Sequence, residues 1–132
     1  MPIQVKDFMS TPVTTAVGEN SVKEIRSLMK DKGINAIPVV SNSTDGKHEE
    51  TIIRGIITAT DLSNELHNDE TVEDVMTSSS VHVVHTDAVA QGAAKMMLKH
   101  NVHHLVAMDE GKIKGMVSAM DFVKLVAEHS LG

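Results

Sequence analysis

The sequence contains no cysteine, tryptophan or tyrosine, and only two phenylalanines among its 132 residues. Without cysteine the chain can form neither a disulfide scaffold nor a thiolate metal site, and it has no thiol nucleophile. Because aromatic side chains are so few, the core must be filled by Val, Ile, Ala and the nine methionines, whose flexible side chains suit irregular gaps. The sequence also has no apolar stretch near the roughly 20 residues of a membrane span and no apolar signal region at its N-terminus. We therefore expect a soluble, cytoplasmic protein with no membrane partner.

The charge balance and the lack of catalytic motifs exclude several classes of function. With 12 Lys and Arg against 18 Asp and Glu, the formal net charge is −6, which argues against general binding to nucleic acids or anionic membranes. The P-loop, dinucleotide-binding, nucleophile-elbow and H-E-x-x-H zinc motifs are all missing. We therefore expect no nucleic-acid partner, no catalytic residues and no enzymatic activity.

What the chain does contain is an internal repeat. Three stretches of the first half recur in the same order in the second half. They are "VKDFMS" (5–10) and "VEDVMT" (72–77), "IRSLMKDKGINAIPVV" (25–40) and "AAKMMLKHNVHHLVAM" (93–108), and "GIITATDL" (55–62) and "GMVSAMDF" (115–122). The first half has a longer polar loop before its last stretch, and this loop contains the turn signal Asp45-Gly46. The sequence is thus a tandem repeat, with a first copy in residues 1–66 and a second in 67–132.

Each copy carries the signals of a helix after its first stretch. In the first copy, Asn20 or Ser21 is suited to cap a helix. Apolar residues then recur at helical spacing along one face, at Val22, Ile25, Leu28 and Met29. Gly33 and Asn101 stand at equivalent positions after the two predicted helices, where a residue with left-handed backbone is favoured. This agreement supports the alignment of the copies.

Two nearly continuous apolar segments follow each helix and are predicted as strands of a covered sheet. They are residues 36–40 and 52–58 in the first copy and 105–108 and 113–118 in the second. Final helices are expected to start near Thr60 and Met120. Each copy then has the order strand, helix, strand, strand, helix, and is small for independent stability. We predict an α/β (α+β) fold in which two βαββα repeats pack about a pseudo-two-fold axis, with small sheets covered by helices.

This ordered set of motifs resembles a known family over nearly the whole chain. The βαββα unit, the proline-bearing "AIPVV" strand, the "GIITATDL" ending and the tandem duplication are similar to a pair of cystathionine-β-synthase (CBS) domains, also called a Bateman module. The resemblance implies a regulatory sensor that binds an adenosine-containing ligand (AMP, ADP, ATP, S-adenosylmethionine or NAD) in a cleft between the repeats. It also implies a disc-like homodimer and an effector protein as partner. Because the repeats extend from Val5 to about Ala127, we expect a free-standing module with no cofactor besides this regulatory ligand.

The ending T/S-x-x-D occurs in both copies, as Thr58 with Asp61 and as Ser118 with Asp121. An ionised aspartate only accepts hydrogen bonds, so it suits the vicinal hydroxyls of a ribose, while hydroxyls and amides at a helix N-terminus favour phosphate. By resemblance to the family, Asp61 and Asp121 would hold ribose. Thr58 and Ser118 would contact phosphate or ribose. The alternative is that the motif only caps a helix, with Thr60 or Asp61 as the capping residue of the first copy.

The two copies differ in the residues expected around this motif. Thr60 adds a second hydroxyl in the first copy, and the second copy lacks it. His103 and His104 stand where the gamma subunit of AMP-activated kinase, a family member, has a His-Arg pair that contacts nucleotide phosphates. The first copy has Asn35 and Ala36 at this place and therefore no basic group.

Residues of one copy are expected to complete the cleft of the other. The favoured cleft then consists of Thr58, Ala59, Thr60, Asp61, His103 and His104. The second cleft lacks imidazoles and favours an adenosine-like ligand or none; it consists of Ser118, Asp121, Asn35, Ala36, Ile37 and Pro38. Because His is mostly neutral at pH 7 whereas Arg is always charged, we predict tighter binding of AMP or ATP at about pH 6 than at pH 8. The alternative is that one imidazole is buried and the other solvated, without a ligand.

Metal binding is a further alternative for the histidines. Five of the eight histidines lie close together in the sequence, at positions 82, 85, 100, 103 and 104. Asn101 is expected to end the helix, so the last three would not share a face, and His82 and His85 would point to opposite sides of a strand. We therefore predict no metal ligands. A Zn²⁺ or Ni²⁺ site and a protein-interaction or homodimerisation module without ligand stay open as alternatives.

Overall fold

The computed structural model describes residues 2–45, 48–63, 68–78 and 81–129. The helices are α1 (Val5–Phe8), α2 (Val22–Lys32), α3 (Val72–Val75), α4 (Ala90–His100) and α5 (Ala119–Glu128), and the strands are β1 (Ala36–Asp45), β2 (His48–Thr58), β3 (Val83–His85), β4 (His104–Asp109) and β5 (Lys112–Ser118). They form two compact units, one made of Met1–Val13 with His82–Gly132 and the other of Thr14–Val81. Helix α1 belongs by sequence to the first copy but lies in the unit of the second, and α3 is exchanged in the reverse direction. We retain 1–66 and 67–132 as proposed limits of the sequence copies.

The unit that holds the second copy has the predicted βαββα order. Strand β3 pairs in parallel with β4, which pairs antiparallel with β5, and α4 connects the two parallel strands. Apolar side chains from the sheet, α1 and α4 form the core, at Val5, Val84, Ala93, Met97, Leu105, Ala107 and Val117. Both phenylalanines of the chain pack here, because the rings of Phe8 and Phe122 meet edge to face with centroids 5.1 Å apart.

The unit that holds the first copy contains α2 and the long hairpin of β1 and β2. The hairpin pairs from Ala36 opposite Thr58 to Asp45 opposite His48, with a register shift between Val39 and Val40. The first strand predicted for this copy is reduced to a single parallel bridge between Ala16 and Val39. Buried apolar residues from α2, the hairpin and α3 form the core, and they include Val22, Ile25, Met29, Ile37, Ile57 and Val72.

The final helices differ between the copies. In the second copy α5 begins at Ala119, one residue before the predicted start. In the first copy, hydrogen bonds from Leu62 N–H to Thr58 O and from Ser63 N–H to Thr60 O close turns instead of an α-helix. A helix starting near Thr60 is therefore wrong for the described residues up to Ser63. Residues 64–67 lie outside the described part of the chain.

The predicted ends of the long helices are confirmed. Ser21 caps α2, because its side-chain oxygen accepts from the N–H of Glu24 at 3.1 Å. Gly33 (φ 65°) and Asn101 (φ 53°) end α2 and α4 in left-handed backbone, the conformation that glycine and asparagine tolerate best. Helices α2 and α4 are the longest among those described, at 11 residues each. None of the described helices has the length and apolar character needed to cross a membrane.

Two short segments that follow α1 and α3 pair with the sheets. We call Met9–Ser10 and Met76–Thr77 the bridging segments. Ser10 exchanges two backbone hydrogen bonds with Met116 of β5 (2.8 and 3.1 Å), and Thr77 exchanges two with Ile56 of β2 (2.8 and 2.9 Å). The sequence repeat of these segments was recognised, but neither the short helices before them nor this pairing was predicted.

Candidate functional site

The first T/S-x-x-D motif, Thr58–Asp61, lies where β2 ends and the chain turns. The backbone N–H of Thr58 donates to Asp61 Oδ2 at 2.9 Å, and the N–H of Asp61 donates to Thr58 Oγ1 at 3.3 Å. These two bonds form a capping box, in which a hydroxyl and an acidic side chain three residues later satisfy each other's amides. The reciprocal bonds expected of a cap are therefore present, with Thr58 and not Thr60 or Asp61 in the capping position, but turns and not an α-helix follow within the described residues up to Ser63.

The second motif, Ser118–Asp121, has the same geometry at the start of α5. The N–H of Ser118 donates to Asp121 Oδ2 at 2.9 Å, and the N–H of Asp121 donates to Ser118 Oγ at 3.2 Å. Ser118 is the residue that caps α5. The local backbone arrangement of the motif is thus duplicated along with the sequence.

Each carboxylate also accepts a hydrogen bond from a bridging segment. Thr77 Oγ1 donates to Asp61 Oδ1 at 3.4 Å, and Ser10 Oγ lies 3.1 and 3.2 Å from Asp121 Oδ1 and Oδ2. Ser10 and Thr77 were not among the predicted site residues. The alignment of the copies contained the signal, since it places a hydroxyl at both positions. Nothing in the sequence indicated that these hydroxyls reach the aspartates.

Both carboxylates keep capacity for further donors. An ionised carboxylate has about four lone-pair sites. Among the described residues, one amide and one hydroxyl donate to Asp61, and one amide and one hydroxyl donate to Asp121. About two acceptor sites remain on each, which is the number of donors in a vicinal diol. Asp121 is only 7% exposed, whereas Asp61 is half-buried and therefore more accessible.

The structure places His103 and His104 beside the second motif. His104 lies opposite Ser118 in the β4–β5 ladder, and Ala119 N–H donates to His103 O at 3.0 Å. Burial lowers the pKa of His104 below its usual value, and the neighbouring His103 lowers it further, against the opposing effect of Asp121. The imidazole of His104 is therefore mostly neutral at pH 7, so it offers a phosphate a hydrogen bond and not a charge.

The Asn35–Pro38 segment occupies the equivalent place beside the first motif. Ala59 N–H donates to Asn35 O at 2.9 Å, and Ala36 lies opposite Thr58 in the hairpin. Ile37 and Pro38 are buried, and their place in the second cleft stays a prediction.

Within each unit, the contacts of the motif are therefore with its own sequence copy and a bridging segment. The histidine pair contacts the second motif, and Asn35 with Ala36 contacts the first. The clefts predicted from the sequence instead join each motif to the segment of the other copy. The favoured cleft joins the first motif to the histidine pair, and the second cleft joins the second motif to the segment that begins at Asn35. That combination stays a prediction.

A cavity of about 320 Å³ lies next to the first motif. Its lining mixes apolar and basic side chains and consists of Arg26, Met29, Lys30, Ile34, Ala59 and Leu62. The volume is at the lower end of the range for small-molecule sites. Arg26 donates to Leu62 O from Nε (3.2 Å) and from a second guanidinium nitrogen (2.7 Å), which holds the turn after the motif. Of the described motif residues only Ala59 lines the cavity, so the hydroxyls and the carboxylate of the motif face elsewhere.

Three of the five clustered histidines contact one another or acidic residues among the described residues. The rings of His82 and His100 stack with centroids 4.0 Å apart. His85 is occupied on both ring nitrogens, because Nε2 lies 3.2 Å from Asp109 Oδ1 and Nδ1 accepts from the N–H of Asp87 at 3.0 Å. Within the described part of the chain, no three His, Asp or Glu residues are placed to hold a metal ion.

The duplicated motif and its duplicated surroundings agree with a comparison to known families. The model of the CBS domain matches the chain twice, over residues 5–68 and 72–128. The chain belongs to the CBS domain family. The family resemblance stated from the sequence is therefore confirmed, and each CBS repeat contributes one T/S-x-x-D motif.

A curated relative and a solved CBS domain pair match almost the whole chain. The uncharacterized protein MJ0188 of Methanocaldococcus jannaschii is 32% identical over 126 residues, which is 94% of this chain and 44% of that protein. The chain therefore spans less than half the length of this relative. The solved CBS domain pair of protein MJ0100, in complex with 5′-methylthioadenosine and S-adenosyl-L-methionine, superposes with a TM-score of 0.81 at 28% identity, covering 97% of this chain and 98% of that one. This likeness confirms the α+β fold with small sheets and helices.

A more distant CBS structure shares the fold alone. The CBS domain of a bacterial CNNM/CorC family Mg²⁺ transporter, solved in complex with ATP, gives a TM-score of 0.77 at 20% identity and covers 95% of this chain and 87% of that one.

Proposed function

We propose that the chain is a non-catalytic regulatory module that binds an adenosine-containing ligand, with AMP, ADP or ATP favoured over S-adenosylmethionine and NAD. The observation that carries this proposal is the pair of acceptor sites left on Asp61 and again on Asp121, which matches the two hydroxyls of a ribose. The ligands in the two solved CBS structures support it, because 5′-methylthioadenosine, S-adenosylmethionine and ATP share an adenosine. The recognised group is then the ribose diol common to all of them.

The Asp61 motif is the better candidate of the two. Its carboxylate is less buried than that of Asp121, and the exposed Thr60 adds a hydroxyl beside it. The sequence-based proposal that His103 and His104 contact the phosphate of this ligand, in a cleft between the repeats, is kept. Since burial lowers the pKa of His104, His104 should contribute little to the predicted gain in affinity from pH 8 to pH 6. Calorimetric titration of AMP at both pH values, with His104→Gln beside the wild type, measures its contribution.

The proposed action is a shift of conformation and not a reaction. A ligand moves such an equilibrium only by the difference in its affinity for the two states. The states in question are those of a homodimer or of a complex with an effector protein.

A thermal-shift panel of AMP, ADP, ATP, S-adenosylmethionine and NAD tests the proposal. At about 100 times its Kd, a ligand stabilises the protein by roughly 2.7 kcal/mol, which is several degrees for a domain of this size. We expect such a shift for at least one adenine nucleotide. Absence of a shift with every ligand at millimolar concentration would refute the proposal.

Two conservative substitutions test which of the two motifs binds the ligand. Asp61→Asn and Asp121→Asn keep an oxygen for the capping amide but remove the charge and one acceptor, so each should weaken ligand binding about tenfold or more at its own motif. Asp7 and Asp74 serve as matched controls, because both accept hydrogen bonds at the starts of the short helices α1 and α3. If Asp7→Asn and Asp74→Asn reduce binding as much as the motif variants, the aspartates act through folding alone.

A homodimerisation module without ligand is the second candidate. Helix α5 exposes apolar side chains at Met120 (59%), Val123 (58%) and Val126 (50%). Apolar residues at this spacing on one helical face suit contact with another protein. This candidate predicts self-association that is unaffected by every ligand of the panel.

A further inference from the structure

The hydroxyls of Ser10 and Thr77 are held in place by the backbone on either side of them. Each bridging segment exchanges two hydrogen bonds with a sheet strand, Ser10 with Met116 and Thr77 with Ile56, at 2.8 to 3.1 Å. Because both backbone groups of Ser10 and of Thr77 are paired, neither residue can move independently of its strand. The hydroxyl therefore has a fixed position relative to the motif at the end of the same strand.

Close packing against glycine reinforces this position. A Cβ added to Gly115 would lie 2.5 Å from Met9 Sδ and 3.1 Å from Ser10 O. A Cβ added to Gly55 would lie 2.8 Å from both Met76 Sδ and Thr77 O. At Gly55 the backbone of the bridging segment thus lies closer than a Cβ would permit. At Gly115 the nearest atoms belong to a flexible methionine, and the backbone oxygen lies at a tight 3.1 Å.

The hydroxyls contact the part of each aspartate that the capping box leaves unconstrained. In the first motif the capping amide binds Oδ2 of Asp61 and Thr77 binds Oδ1; in the second, the amide binds Oδ2 of Asp121 and Ser10 reaches both oxygens. The terminal torsion of an aspartate is broad when nothing constrains it. A donor on the second oxygen limits this rotation, so the remaining lone pairs keep one orientation.

From this geometry we infer that Ser10 and Thr77 are positioning residues of the two ribose sites, which orient the carboxylates of Asp121 and Asp61 for a vicinal diol before the ligand arrives. The inference rests on the proposed function and extends it to residues outside the T/S-x-x-D motifs. Preorganised acceptors improve affinity because less freedom is lost on binding. The effect is larger at Asp121, where Ser10 lies 3.1 and 3.2 Å from the two oxygens, than at Asp61, where the Thr77 bond is 3.4 Å long.

The test combines two hydroxyl deletions with two ligands. Ser10→Ala and the near-isosteric Thr77→Val are titrated calorimetrically with AMP and with its 2′,3′-dideoxy counterpart, which lacks the diol. We expect AMP to bind up to about tenfold more weakly to Ser10→Ala at the Asp121 motif, the factor that corresponds to 1.4 kcal/mol, with a smaller loss for Thr77→Val at the Asp61 motif. Binding of the dideoxy ligand should be nearly unchanged, because it does not use the oriented carboxylates.

Matched controls separate positioning from general stability. Thr11→Ala and Ser78→Ala remove exposed hydroxyls next to the two residues and should bind AMP as the wild type does. Ser10→Thr and Thr77→Ser retain the hydroxyl and should restore most of the affinity. If Ser10→Ala folds poorly, AMP binding by Ser10→Thr is compared with AMP binding by Ser10→Val. These two variants have side chains of nearly equal size and differ in the hydroxyl.

The remaining outcomes oppose the inference. Equal weakening of both ligands would show that the hydroxyls only support the fold, and unchanged AMP affinity in both deletions would show that the carboxylates need no orientation. If the wild type binds AMP and Asp61→Asn abolishes binding while the hydroxyl deletions have no effect, the proposed function stands and this inference fails. If the wild type binds no adenosine ligand, both fail.

Discussion

At the scale of single residues, each motif aspartate serves the backbone and is still able to serve a ligand. One oxygen of Asp61 or Asp121 accepts the amide that closes a capping box, and a hydroxyl from a bridging segment reaches the carboxylate as well. Capping and ligand binding, treated as alternatives from the sequence, are compatible, because about two acceptor sites remain on each carboxylate. Substitutions at these positions must therefore retain the cap if they are to report on binding.

The half-buried His104 gives the protein a predicted pH dependence of stability. Its pKa in the folded state is lowered, chiefly by burial, so the unfolded chain binds more protons below the usual value of about 6.5. Stability is then unaffected by this group at pH 8 and falls as the pH drops from about 6.5 through the folded pKa. His104→Gln should show a smaller decrease in melting temperature between pH 8 and pH 5.5 than the wild type.

The exposed His129 provides the control for this comparison. His129→Gln should retain the wild-type decrease. A His104→Gln variant with the same pH dependence as the wild type would show that burial does not disfavour the charged imidazole.

At the scale of the elements, the close contact of the bridging segments with glycine is the feature most sensitive to substitution. At Gly55 an added Cβ meets the backbone oxygen of Thr77 at 2.8 Å as well as a flexible methionine. Since backbone cannot yield as a side-chain end can, the strand and the bridging segment must separate. Thr77 would then move away from Asp61.

Gly55→Ala should lower the free energy of unfolding by about 1–3 kcal/mol, the usual range for overpacking. Gly92 is the matched control, because it lies in α4 and its added Cβ would meet only Val89, at an ordinary 3.6 Å. Gly92→Ala should raise stability by about 0.5–1 kcal/mol, since alanine favours a helix interior over glycine. Urea unfolding of the three proteins checks both values, and a neutral Gly55→Ala would contradict the close approach.

The ends of the helices could be predicted from local sequence patterns, whereas the long-range pairing of the elements could not. The cap at Ser21, the left-handed ends at Gly33 and Asn101, and the start of α5 follow from residue types at fixed offsets, and the structure confirms them. The pairing of Ser10 with Met116 joins residues more than a hundred positions apart, and no local pattern encodes such a contact. The exchange of α1 and α3 between the sequence copies depends on this long-range packing, so the repeat alone could not reveal it.

In the candidate site, too, local patterns were predicted from the sequence and long-range contacts were not. The T/S-x-x-D motifs were identified from their repetition at strand ends, but the hydroxyls that bind their carboxylates were not. The place of His103 and His104 beside the second motif follows from the β4–β5 register, in which His104 faces Ser118. The pair was assigned from the sequence to the cleft of the first motif, because residues of one copy were expected to complete the cleft of the other, and this assignment stays a prediction.

At the scale of the whole molecule, the chain combines two CBS repeats and spans less than half the length of a relative such as MJ0188. The action proposed for this module requires contact with another protein. The exposed apolar side chains of α5 offer a contact surface, and a second copy of this chain is the partner we propose for it.

Val123→Lys tests this assembly, because a charge at the centre of the exposed face of α5 should oppose its burial. We expect the wild type to sediment as a dimer and Val123→Lys as a monomer. Leu98→Lys is the control, since Leu98 on α4 is 82% exposed and is an equally apolar surface position. A wild type that is monomeric at all concentrations, or equal dissociation by both variants, would contradict a dimer formed through α5.

The central claim is that the carboxylate of Asp61, and that of Asp121 at its own site, recognises the diol of a ribose. Its most direct test is calorimetric titration of the wild-type protein with AMP and with 2′,3′-dideoxy-AMP. The two ligands have the same base and phosphate and differ only in the hydroxyls that Asp61 and Asp121 would accept. The account predicts that AMP binds at least about tenfold more tightly, equivalent to 1.4 kcal/mol or more. Equal affinity for the two ligands would contradict it.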